Sequence, residues 1–311
     1  MSYQERQYGR RSMFSQGGSA LLTLIAINLI VFVLFAFVQA IYHLKSENSQ
    51  QAVAEFNSGV VNWFALPADL DKIGTRPWTI ITHMFLHTGL WHIFGNMLWL
   101  WMFGYILQDL TGNRKIVPVF LYGALAGAIA FVLAFNLSPA LKPDLQVASA
   151  LGASAGIMAI AVATTFIAPG YRIFPMLGGG IPLWIITAIY LIIDLATIPA
   201  GNTGGHIAHL AGGFTGFLFM YSFRKGYDWG EWMNNLWDWF TNLFNPDKPK
   251  KGILVKQELF YKSTAKPYKK TPNVTEQRIN EILDKINQKG FNSLSDEEKD
   301  LLKRASQDKD S

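Results

Sequence analysis

An all-α membrane protein with six spanning helices is the fold class the sequence predicts, and three features predict it. Half of the 311 residues are hydrophobic and only 16% are charged. The charges avoid the middle of the chain. Between Ala20 and Phe223 there are seven basic and seven acidic residues, and the rest crowd the first dozen positions and the last ninety or so. A long apolar middle with two polar ends suits a chain whose solvent is lipid. Within that middle lie six segments near the roughly 20 apolar residues that a helix needs to cross about 30 Å of hydrocarbon.

The first segment, Ala20–Tyr42, follows Arg10 and Arg11 as a signal peptide would. Its apolar run is longer than a signal core and no clear small-x-small cleavage site follows, so it reads as a signal anchor. The others are Trp78–Leu107, Ile116–Phe135, Val147–Ala168, Ile181–Ile198 and Thr203–Phe223. Basic residues favour the cytoplasmic side. Arg6, Arg10 and Arg11, then Arg114 and Lys115, Arg172, and Arg224 and Lys225 all fall on one side if the N-terminus is cytoplasmic. Both termini are therefore expected in the cytoplasm. A bacterial inner membrane is expected, since no organelle presequence is evident.

The pI near 9.2 and the net charge of +5 come mostly from the two ends. They read as orientation signals rather than nucleic-acid contacts. Cysteine is absent, which excludes disulfides, cysteine nucleophiles and thiolate metal sites.

Polar side chains inside a bilayer are costly, so their clustering marks a functional site. Five of the six histidines fall in two stretches. One, from Thr82 to Asn96, opens the second segment, and its His92 and Asn96 are four residues apart on one helical face. The other opens the sixth segment at Gly205-His206-Ile207-Ala208-His209, where His209 shares a face with Gly212 and Gly216. The fourth segment contains Leu151-Gly152-Ala153-Ser154-Ala155-Gly156. Small residues at this spacing let helix backbones approach closely. Two glycine-lined faces, one carrying Gly152 and Gly156, are expected to press together and bring Ser154 to His209. Both residues lie about seven positions into their segments, or roughly 10 Å deep at 1.5 Å per residue.

Hydrolysis of an amide needs a nucleophile, a base and donors for the oxyanion. Ser154 and His209 fit the first two roles. Asn96, His92 and the backbone N–H of Ser154 fit the third.

At these residues the sequence resembles the rhomboid intramembrane proteases. Gly152-Ala153-Ser154-Ala155 matches their G-x-S-x motif. Ala208-His209-Leu210-Ala211-Gly212 followed by Gly216 matches A-H-x-x-G-x-x-x-G, and His87 to Asn96 matches H-x4-H-x3-N. The resemblance covers about residues 18–223. It implies a catalytic Ser154–His209 dyad with His92 and Asn96 in the oxyanion site, and no metal or cofactor. The substrates it implies are single-span membrane proteins, cut near the outer end of a helix. Four features depart from the family pattern. His206 competes for the histidine role, Met158 stands where Tyr or Phe often stacks on the histidine, Trp78-Thr79 replaces Trp-Arg, and Ala155 replaces a common glycine.

Other readings attach to the same residues. A non-catalytic relative that binds membrane clients is the alternative function. A metal site built from His83, His87, His92, His206 and His209 is the rival chemistry. His83 and His87 read more readily as loop-anchoring donors at the membrane surface. Asp194, near the outer end of the fifth segment, is either a third member of a triad or a structural hydrogen-bonding group, and the dyad pattern favours the latter.

The domain reading is an N-terminal segment (1–19), a six-span domain (20–223), an interfacial amphipathic helix (224–245), a basic Pro/Lys linker (246–273) and a cytoplasmic helical hairpin (274–311). Four of the ten tryptophans lie between Trp229 and Trp239, as expected of a helix at a membrane surface. In the hairpin, Ile279, Ile282, Leu283 and Ile286 share a face, Gly290 is a stop, and Ser295 with Glu298 forms a capping box. A partner for this tail is not legible in its residues.

Overall fold

The structure is a computed structural model and describes residues 19–174, 176, 178–241, 243 and 276–307. Almost all of the N-terminal segment and the whole linker expected at 246–273 lie outside the described residues. Each of the six apolar segments forms a helix. They are α1 (Ala20–Lys45), α2 (Leu90–Thr111), α3 (Ile116–Leu137), α4 (Ser154–Ile167), α5 (Leu183–Thr197) and α6 (Thr203–Arg224). α1, α2 and the stretch Asn113–Leu137 are long and apolar enough to cross a membrane, while α4 and α5 are shorter apolar helices. α1 leaves Ile30, Val33, Leu34 and Phe37 exposed. Such a stripe suits lipid, where helices associate by close packing and hydrogen bonds rather than by escape from water.

Two helices begin later than their hydropathy predicts. Before α2 the chain makes a helical turn at Thr79–Thr82 and a 3-10 turn at His83–Phe85, then runs extended at Leu86. Before α4, Ser149–Ala150 pairs antiparallel with Leu66–Pro67. Gly152 then adopts φ +111°, a conformation that L side chains rarely take. The helix starts only at Ser154. Counting turns through a continuous helix from Val147 was therefore wrong: Ser154 opens α4 instead of lying two turns inside it. Gly152 sits in the preceding turn and cannot form a helical face with Gly156.

Bare backbone sets the packing of α6 on α4. A β-carbon at Gly212 would lie 2.2 Å from the Ala155 carbonyl oxygen, and one at Gly216 would lie 2.1 Å from that of Ala159. The small face of α4 is thus Ala155 and Ala159, not glycine. Gly156 faces α3 instead, where a β-carbon would meet the Phe120 carbonyl oxygen at 2.7 Å. Below this contact Phe103, Phe120, Ile157 and Ile160 form the apolar core.

Arg114, Lys115 and Arg224 lie at the end of the bundle away from Ser154. Ala20 N–H donates to Asn113 Oδ1 (3.3 Å), Lys115 Nζ donates to Asp228 Oδ2, and the Arg224 guanidinium lies 5.3 Å from the Phe166 ring centre. The helix α7 (Glu231–Thr241) packs here. Arg114 pairs with Asp238 (2.9 Å) and Trp232 Nε1–H donates to Tyr122 Oη (2.8 Å). Trp237, Trp239 and Phe240 on α7 are exposed.

Residues Pro246–Ser311 form a separate unit. Its described part is a hairpin of α8 (Glu276–Lys289) and α9 (Asp296–Gln307) closed over Ile282, Leu294 and Leu301. Gly290 takes φ +77° at the stop. Ser295 Oγ accepts from Glu298 N–H (3.3 Å) while Glu298 Oε2 accepts from Ser295 N–H (2.7 Å), the reciprocal capping box.

Candidate active site

Ser154 is placed by the turn at Gly152, and His209 by the seating of α6 on α4. The Gly212–Ala155 contact lies one turn along α6 from His209 and one residue from Ser154. It draws the two side chains together: Ser154 Oγ donates to His209 Nε2 at 2.6 Å. Ser154 also stands at the N-terminus of α4, which has no side-chain cap. The first N–H groups of a helix lack intrahelical partners and carry its positive end, a setting suited to an anion.

The far side of the His209 ring is also occupied. Nδ1–H donates to both carboxylate oxygens of Asp194, at 3.0 and 3.1 Å. Asp194 lies on α5 and is only 3% exposed. His206, one turn earlier on α6, donates from Nδ1 to the same Asp194 Oδ1 at 2.7 Å. His209, not His206, therefore faces the serine. Tyr190, one turn before Asp194, brings its ring within 6.5 Å of that of His209. Met158 is fully buried and packs beside Gly213. Of the two expectations for Asp194, its place on the His209 ring has the geometry of the third triad member and not of the favoured structural group.

Ser154, His209, His92, Asn96 and Tyr190 line one cavity of about 450 Å³. The His92 ring leans over Gly152, where an added β-carbon would meet His92 Cε1 at 2.9 Å. Only glycine leaves room there. Asn96 is buried, and its Nδ2 donates to His87 Nε2 at 2.8 Å. A side-chain amide carries two N–H donors, so one remains for the cavity.

His87 was expected at the membrane surface. It anchors its loop, Nδ1–H donating to the Phe85 carbonyl (3.3 Å), but it is fully buried, and its Nε2 also accepts the Ala153 N–H (3.4 Å). It links the Asn96 amide to the turn before Ser154. The H-x4-H-x3-N spacing held that signal, but spacing alone does not say what the first histidine touches. His83 does anchor its loop: Nδ1–H donates to the Thr79 carbonyl, and the His83 carbonyl accepts the Gly152 N–H (2.9 Å).

Of the histidines considered for a metal, His206 and His209 converge with Asp194, their ligand atoms all within 4.8 Å of one another. Two imidazoles and a carboxylate form a donor set that zinc accepts. His83, His87 and His92 are not part of that group among the described residues.

A family model for the rhomboid domain matches residues 74–226, a span that includes every residue of this cavity. The chain belongs to the rhomboid family. The chain is also similar to rhomboid proteases GlpG of Salmonella newport, Salmonella heidelberg and Salmonella enteritidis. Each is 33% identical over 66 residues, which is 21% of this chain and 24% of the relative. The matched part thus spans about a quarter of the length of those relatives. With its apolar helices, this rhomboid is an integral membrane protein. A second model, a family of unknown function (DUF6576), matches residues 266–308, the region of the hairpin.

Proposed function

We propose that this rhomboid is an intramembrane serine endopeptidase that hydrolyses peptide bonds in or near the transmembrane helices of other membrane proteins. The observation that carries the reading is the 2.6 Å hydrogen bond from Ser154 Oγ to His209 Nε2 at the floor of a cavity. In this reading His209 takes the serine proton as Ser154 Oγ attacks the scissile carbonyl. The developing oxyanion is held by Asn96, His92 and the backbone N–H of Ser154. His209 then protonates the leaving amine, and a water molecule entering through the polar cavity releases the acyl group.

The six helices span the bilayer with both termini in the cytoplasm. Support comes from the gathering of Arg114, Lys115 and Arg224 at the end opposite the cavity, where basic residues favour the cytoplasmic face. The cavity then opens toward the outer half of the membrane, where a single-span substrate presents the end of its helix. A bacterial inner membrane remains our assignment. α7 lies at the cytoplasmic surface, and its exposed Trp237, Trp239 and Phe240 support this placement. The second reading, a client-binding rhomboid without catalysis, is disfavoured by the complete pairing of serine and histidine.

The test is cleavage of a model single-span protein in liposomes by the native chain, Ser154→Ala and His209→Ala, each with and without EDTA. Both variants are expected to be inactive and EDTA to have no effect. Cleavage that survives Ser154→Ala refutes the assignment. Loss of activity with EDTA transfers it to a metal held by Asp194, His206 and His209.

A further inference from the structure

We infer that Asp194 is a positioning residue for His209, and that His206 clamps the Asp194 carboxylate in place. The inference rests on the protease reading above and extends the serine–histidine pair by two residues.

A neutral imidazole has two tautomers, and only one works here. With the proton on Nδ1, the Nε2 lone pair faces Ser154 Oγ at 2.6 Å and can receive its proton. With the proton on Nε2, the ring presents an N–H to the hydroxyl and is useless as a base. An ionised carboxylate is an acceptor only, so Asp194, 3.0 and 3.1 Å from Nδ1, selects the working tautomer. It also fixes the ring plane. When His209 becomes imidazolium during attack, the same carboxylate opposes the new charge at close range.

A buried carboxylate needs donors of its own. Those seen are both imidazoles: His206 at 2.7 Å and His209 at 3.0 Å. His206 also lies 3.4 Å from Thr197 Oγ1, at the end of α5. It therefore holds Asp194 from the side away from the serine and ties α5 to α6 beside the reaction centre. The titratable groups facing His209 are Asp194 and Tyr190 from α5, His206 on its own helix and His92 from α2 across the cavity.

The experiment measures kcat and KM in liposomes for the native chain, Asp194→Asn, His206→Asn, His206→Leu and Ser154→Ala, with thermal unfolding of each. Asp194→Asn is expected to lower kcat by about 10²- to 10⁴-fold with KM little changed. The loss should fall on kcat per folded molecule, because the imidazolium formed during attack has lost its opposing carboxylate. His206→Leu should lower kcat by a smaller factor, on the order of tenfold for one lost orienting hydrogen bond. His206→Asn keeps an N–H donor near the Nδ1 position and should recover most of that loss. Native kcat in Asp194→Asn overturns the inference. So does a loss that follows the unfolding midpoint and falls on KM as much as on kcat, since that is a structural role. Activity in Ser154→Ala, by contrast, removes the protease reading itself. An inactive Ser154→Ala beside a fully active Asp194→Asn removes only the role of Asp194.

Discussion

The α-carbon of Gly212 presses against the carbonyl of Ala155 so closely that an added β-carbon would stand 2.2 Å from the oxygen. No real contact is that short, so α6 and α4 must separate if any side chain is placed there. One turn of α6 away, His209 meets the serine that precedes Ala155 in the chain. The packing of the helices and the geometry of the Ser154–His209 pair are the same contact seen from two sides.

Gly212→Ala is therefore expected to destabilise the bundle by about 1–3 kcal/mol, the usual cost of overpacking. It should also lower activity by more than the loss of folded protein explains. Gly216→Ala meets the Ala159 carbonyl two turns from His209 and should cost similar stability with a smaller further loss of activity. Thermal unfolding in detergent and cleavage per folded molecule check both. Equal activity per folded molecule in the two variants would break the link between this contact and the site.

Asn96→Ala should lower kcat by about 10²–10³-fold, the effect of removing one oxyanion donor, with KM nearly unchanged. His87→Phe should act in the same direction but more weakly. It removes the Nε2 acceptor that orients the Asn96 amide while leaving the amide in place. Steady-state kinetics in liposomes distinguish the two. A His87 variant slower than the Asn96 variant would give His87 a direct role.

The Lys115–Asp228 pair anchors the segment that leads into α7, and Lys115 is buried there. Asp228→Ala leaves the ammonium without its carboxylate, which typically costs on the order of 1–3 kcal/mol for a charged hydrogen bond. Faster hydrogen exchange across Glu231–Thr241, with cleavage of a model substrate little changed, is the expected outcome.

In the tail hairpin, Lys285 donates to both oxygens of Glu298 at 2.8 Å. The Glu298 carboxyl is held below its ordinary value, chiefly by that lysine and then by the Ser295 N–H. A depressed carboxyl contributes stability that is present above its unfolded-state value and lost as pH falls through its folded-state value. Amide protection in Glu276–Gln307 should therefore fall on acidification below the ordinary carboxylate range. Glu298→Gln should flatten that dependence, as hydrogen exchange on the full chain would record.

The residue pattern alone determined which segments become helices and which polar groups gather. Hydropathy located the six helices α1 to α6, motif spacing picked out Ser154, His209, His92 and Asn96, and the tail's apolar period and capping box located its hairpin. These are local properties, carried by neighbours along the chain. Tertiary structure decided the rest. The start of α4 depends on a strand pairing between Ser149 and Pro67, which no local pattern encodes. The seating of α6 on alanines rather than on Gly156 depends on which faces of three helices fit together. Asp194 reaches His209, and His87 reaches Asn96, only because those helices and loops pack as they do. Hydrogen-bond partners inside a bundle are chosen by proximity in space, and the packing of bare backbone on bare backbone sets that proximity here.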